Sequence, residues 1–136
     1  MKVYIGSENI ITPLGESAKD NFAAVVAGKS GIREVAASSY KKQPLYLSKF
    51  EQERSFLSLL VNCFEGLNIS KTILSSERTK VIISSTKGMI NTKVEHALVD
   101  VLNEFGTTVK LKNQPLLISN ACISGVLAIT KGADLI

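Results

Sequence analysis

From Ala121 to Ile129 the chain carries one strongly polar side chain, Ser124, and the apolar residues fall on every side of a helix drawn through them. A helix that is apolar all round is stable only where protein covers it all round. A chain of 136 residues is long enough for one domain with a core, and little more. The segment therefore predicts a helix at the buried centre of something larger. With Ile136 inside an apolar stretch, residues 1–136 are expected to be a single domain that is one half of a larger, truncated unit.

The preceding residues supply the rest of the architecture. Lys2 to Ile5 alternates around Val3 and Ile5 and predicts a first strand. Pro13 and Gly15 turn the chain within Ile11-Thr12-Pro13-Leu14-Gly15. Ser17 can cap a helix, with Asp20 at the capping-box position, Ala18, Phe22, Val25 and Val26 on one face, and Gly28 as the stop. Residues 31–48 read as a loop or a short excursion.

Two amphipathic helices follow. Phe56, Leu59, Leu60, Cys63, Phe64 and Leu67 make one helical stripe, and Val94, Ala97, Leu98, Val101, Leu102 and Phe105 repeat its spacing. Val81-Ile82-Ile83 and Pro115-Leu116-Leu117-Ile118-Ser119 read as short buried strands. The order strand, helix, helix, strand, helix, strand, helix predicts an α/β fold with a parallel or mixed sheet.

Composition narrows the function classes. No apolar run approaches the ~20 residues that span a bilayer, and the N-terminus has no secretory apolar stretch, so a cytoplasmic protein without a membrane role is expected. Two cysteines and one histidine make neither a disulfide framework nor a zinc site, which points to a reducing compartment and no metal. The net charge of +4 suits an acidic partner. Lys41, Lys42, Lys49 and Arg54 read as solvated surface, and without Trp or clustered aromatics beside them no nucleic-acid interface is expected.

The chemistry concentrates in Ser119-Asn120-Ala121-Cys122-Ile123-Ser124-Gly125. A buried strand ends near Ser119 and an apolar helix begins directly after it. Cys122 is thereby predicted at a sharp strand-to-helix turn among small neighbours, the device of a nucleophile elbow. The helix's free amides and positive dipole end favour a thiolate there and can stabilise an oxyanion. Spacing alone leaves a second reading open, in which Cys122 is a small buried residue that starts a helix. Cys63 lies in an amphipathic stripe and reads as packing.

Taken in order along the chain, these segments resemble the N-terminal half of β-ketoacyl synthases, members of the thiolase-like fold. Val3-Tyr4-Ile5-Gly6 through Thr12-Pro13-Leu14-Gly15 is similar to the family's first strand and its "TPLG" turn, and Ala27-Gly28-Lys29-Ser30-Gly31-Ile32 to its "AGKSGI" stretch. Ser84-Ser85-Thr86-Lys87-Gly88 resembles the glycine-bearing turn after a core strand, and Ala121-Cys122-Ile123-Ser124-Gly125 the "ACxSG" segment with the active-site cysteine. Asn120 stands where the family usually has Thr or Ser.

The resemblance implies a function. Cys122 would accept an acyl group from acyl carrier protein, with its own amide in the oxyanion hole. Decarboxylative Claisen condensation with malonyl-carrier protein would follow, in fatty-acid or polyketide-like synthesis. Ala121, Ser124 and Gly125 carry over as small residues that permit close packing and access. No cofactor is implied, since the phosphopantetheine arm arrives on the carrier protein. The family's catalytic histidines belong to its C-terminal half, and His96 reads as an ordinary helix residue, so the chain alone is expected to be inactive. The resemblance also implies a homodimer, or a heterodimer with a related subunit, through the strand Leu116–Ser119. The competing readings are a non-catalytic synthase partner subunit of the chain-length-factor type, and a binding or assembly domain using the half-fold.

Overall fold

Two short apolar strands pair in parallel beneath the cysteine segment: β3 (Ile82–Ser84) runs beside β4 (Leu116–Ile118) in the register Ile82–Leu116, Ile83–Leu117, Ser84–Ile118. They belong to a computed structural model that describes residues 2–35, 44–87 and 97–136. The other described elements are α1 (Ala18–Val26), β1 (Ile32–Val35), β2 (Leu45–Ser48), α2 (Phe56–Glu65), α3 (Lys71–Leu74), α4 (Ala97–Thr108) and α5 (Ser124–Asp134). The chain is thus mixed α/β, with small sheets and packed helices.

The core lies where α2 and α4 meet the parallel strands. Ile83, Leu102 and Phe105 are buried, with Leu60, Val61, Phe64 and Leu117 among the half-buried residues packed around them. Phe64 and Phe105 meet edge to face, ring centroids 5.3 Å apart and planes at 87°, a geometry that sets one ring's positive edge against the other's negative face. On α4 the buried pair Leu102 and Phe105 lies on the expected stripe. On α2 the core-facing set is Leu57, Leu60, Val61 and Phe64. Of the expected stripe, only Leu60 and Phe64 belong to it. Apolar residues surround most of α2, so periodicity alone leaves its rotation free, and the ring contact with Phe105 selects the face. Cys63 consequently sits half-buried outside the core cluster, its carbonyl accepting from Asn9 Nδ2 at 3.1 Å.

The cap of α1 follows the sequence. Ser17 Oγ accepts from the Asp20 amide at 3.1 Å and donates to the Asp20 carboxylate at 2.7 Å. The carboxylate thus binds the cap hydroxyl rather than reaching back to the cap amide, as a capping box would have it. Gly28, at φ +70°, ends the helix in the left-handed region that glycine enters without steric cost. The expected apolar face is overturned: Phe22, Val25 and Val26 are exposed, and the buried residues of α1 are Asn21 and Ala24. Asn21 decides the orientation. Its Nδ2 lies 2.8–3.0 Å from the carbonyls of Ile10, Gly15 and Ser17, and its Oδ1 accepts the Thr12 hydroxyl. These bonds lock the Thr12–Gly15 turn, itself closed by reciprocal backbone bonds of 3.0 and 3.1 Å, onto the helix. An added Cβ on Gly15 would stand 2.6 Å from Asp20 Cβ, so this close approach needs glycine.

Three further expectations are corrected. Lys2–Ile5 forms no strand; Tyr4 and Ile5 are 80% and 90% exposed, because no neighbouring strand among the described residues offers it a ladder. The stretch 31–48 contains a two-stranded antiparallel pair, β1 with β2, in the register Ile32–Ser48 to Val35–Leu45, separate from the parallel pair. Both of its strands are largely exposed, so no clear apolar–polar alternation marks them in the sequence. The helix after the cysteine, α5, is not buried all round. It packs on β3 and β4 through one side, while Val126 and Ile129 are 65% and 78% exposed. Among the described residues it is the thin β3–β4 layer that covers this helix, so apolar residues on its other side meet solvent.

Arg54, one of the basic positions read as solvated, pairs with Glu16 at 2.9 Å and lies 5.2 Å from the centre of the Phe50 ring. Its hydrogen bond holds the Glu16 carboxyl below the ordinary carboxylate range. The Lys41-Lys42 pair, Gly88, Val94 and His96 lie outside the described residues.

Candidate active site

β4 runs out at Ile118, and α5 begins six residues later at Ser124. Within that gap the backbone reverses sharply. Ala121 has φ +46°, a left-handed conformation for a residue with a Cβ. Such a conformation costs roughly 1–2 kcal/mol and persists where surrounding bonds over-determine it. Cys122 follows directly, and Ile123, at φ −91° and ψ 0°, occupies the cap position with no side-chain cap bond.

The Cys122 side chain is a free thiol on an exposed residue. It stands two residues ahead of α5, at the junction rather than within the helix. As in any helix, the amides of the opening turn of α5 find no partner within the helix itself. Backbone N–H groups of a helix's opening turn are the donor type that stabilises an oxyanion.

Ser124 closes the turn from the other side. It is 1% exposed. Its Oγ accepts from the Asn120 amide at 2.7 Å and lies 2.7 Å from the Ala121 carbonyl and 3.1 Å from the Ser85 carbonyl. Ser85 in turn donates its amide to Ile118 O at 3.0 Å. The Ser84–Lys87 turn and the cysteine segment, well separated in sequence, are thereby joined in space. Reading Ser124 as merely small misses these bonds. The available signal was its standing as the one strongly polar residue in an apolar stretch.

The other candidates fall elsewhere. Among the described residues an added Cβ on Gly125 would meet nothing within 4 Å, so packing against them does not require glycine there. The Thr12–Gly15 turn is held by Asn21 of α1. A cleft of about 810 Å³ lies between the ends of α2 and α4, with Phe64, Ile69, Leu74 and Val109 in its lining, and Cys122 is not part of it. No group of three or more potential metal ligands occurs among the described residues. None of their helices is long and apolar enough to cross a membrane. No family model matches the chain, and no curated protein or solved structure matches it.

Proposed function

We propose that this chain is the N-terminal half of a β-ketoacyl synthase of the thiolase-like fold, in which Cys122 is the acyl-accepting nucleophile. The observation that carries the proposal is an exposed thiol between a strand end and a helix start, directly after a residue held at φ +46°. In the first half-reaction the Cys122 sulfur attacks the carbonyl carbon of an acyl-carrier thioester. The tetrahedral oxyanion is received by the Cys122 amide, and the carrier's phosphopantetheine thiol leaves with a proton. The excess of positive charge, +4, suits an acidic carrier protein. Both cysteines being free thiols suits a reducing, cytoplasmic setting.

The second half-reaction joins a decarboxylated malonyl unit to the acyl group. It calls for proton-transfer and carboxylate-polarising groups facing the sulfur, and by resemblance these belong to the C-terminal half. Incubation of the 136 residues with acyl-carrier and malonyl-carrier thioesters is expected to give acylation without a condensed product. Turnover comparable to an intact synthase would contradict the assignment to a half-enzyme.

β4 has β3 on one edge only among the described residues. An open strand edge seeks a partner, and a two-fold contact satisfies both copies alike. A homodimer, or a heterodimer with a related subunit, through Leu116–Ser119 is the partner arrangement proposed. Sedimentation at high protein concentration should report a dimer, and a monomer there would count against it.

A further inference from the structure

We propose that Ser124 is the positioning residue of this site, its hydroxyl latching the turn so that Ala121 stays left-handed and Cys122 stays presented. The inference rests on the reading of Cys122 as nucleophile and adds a residue that acts through it. A hydroxyl buried to 1% exposure is costly unless bonded. Alanine would fill the same place on an apolar helix without that cost. The hydroxyl is therefore retained for its bonds, and those bonds point backwards along the chain.

A serine at a helix start ordinarily occupies the cap and accepts from amides ahead of it. Ser124 is instead the first residue of α5 and accepts from Asn120, four residues behind, at 2.7 Å. Its single proton lies between two carbonyls, those of Ala121 at 2.7 Å and Ser85 at 3.1 Å. The ring closed by Asn120 and Ser124 brackets Ala121, Cys122 and Ile123. Without it, Ala121 gains by leaving the left-handed region, and that rotation reorients the Cys122 peptide and with it the direction in which the sulfur is presented.

Glycine at position 121 accepts the left-handed conformation with no latch, which separates positioning from general support. The experiment measures iodoacetamide alkylation of Cys122 and, as an internal control, of Cys63, by peptide mapping at neutral pH. It compares the unaltered chain with Ser124→Ala, Ala121→Gly and the double variant. Ser124→Ala is expected to slow Cys122 about tenfold, the scale of one lost hydrogen bond, and to leave Cys63 within about twofold. The double variant should recover most of the lost rate. An unchanged Cys122 rate in Ser124→Ala, no recovery with glycine, or Cys63 changing in step with Cys122 would each overturn the proposal.

Should Ser124→Ala fail to fold, hydrogen exchange at Asn120 in the unaltered chain remains decisive. A protected amide is expected, and exchange at the rate of an open loop would overturn the latch. Alkylation needs no carrier protein. A Cys122 that alkylates as described yet accepts no acyl group would therefore sink the synthase reading and leave the role of Ser124 standing.

Discussion

Phe105→Ala is expected to destabilise the chain by about 3–5 kcal/mol, the range for deleting a buried aromatic ring. Phe105 is 1% exposed, the largest fully buried side chain among the described residues, and it holds the edge-to-face contact that sets the rotation of α2 against α4. Its neighbours cannot close the void cheaply, because Leu102 and Ile83 are themselves buried in the same cluster. Domains of this size have only ~5–15 kcal/mol in total, so much of the reserve would go. Ile129→Ala supplies the control. Ile129 is 78% exposed on α5, and its loss is expected to change stability by no more than about 0.5 kcal/mol. Urea unfolding followed by circular dichroism measures both. Similar shifts for the two variants would show that the α2–α4–sheet core is wrongly placed.

That contrast also shows what a sequence can and cannot yield for such a chain. The ends of α1 are legible because capping is local chemistry: Ser17 and Gly28 need only their own neighbours. The strands β3 and β4, and the Leu102–Phe105 part of the α4 stripe, are legible because short apolar runs and clean helical spacing have few alternatives. The face of α1 is not, because it is set by Asn21 reaching carbonyls at Ile10, Gly15 and Ser17, and no periodicity encodes a hydrogen bond across a turn. The hairpin β1–β2 escapes for lack of a buried face. The strand expected at Lys2–Ile5 has the right pattern but no partner among the described residues.

At the site, the junction between β4 and α5 is legible from the change of pattern at Ser119–Gly125. The left-handed Ala121 is not, because nothing in an alanine announces it. The all-round apolarity of Ala121–Ile129 correctly predicts a helix after the cysteine. A chain of 136 residues has too little protein to wrap such a helix, and α5 accordingly leaves Val126 and Ile129 exposed. An apolar pattern reports what a helix would bury, not what is there to bury it.

Cys122→Ser is expected to lower acyl uptake from a carrier thioester by roughly a thousandfold or more, the scale of removing a catalytic nucleophile. A hydroxyl is a far weaker nucleophile than a thiolate, and no neighbouring base among the described residues is bonded to position 122 to compensate. Because Cys122 is exposed, the same change should leave the unfolding midpoint nearly untouched. Cys63→Ser should leave acyl uptake intact, since Cys63 lies half-buried on α2, away from the junction. Loss of uptake in Cys63→Ser, or its survival in Cys122→Ser, would remove the nucleophile from this site.

The most direct measurement is the position of the acyl group itself. The unaltered chain, incubated with an acyl-carrier thioester, digested and sequenced by tandem mass spectrometry, should carry the acyl mass on the peptide containing Cys122 and none on that containing Cys63. An unmodified Cys122, or an acyl group found on Cys63 instead, would contradict the proposal that this turn presents a synthase nucleophile.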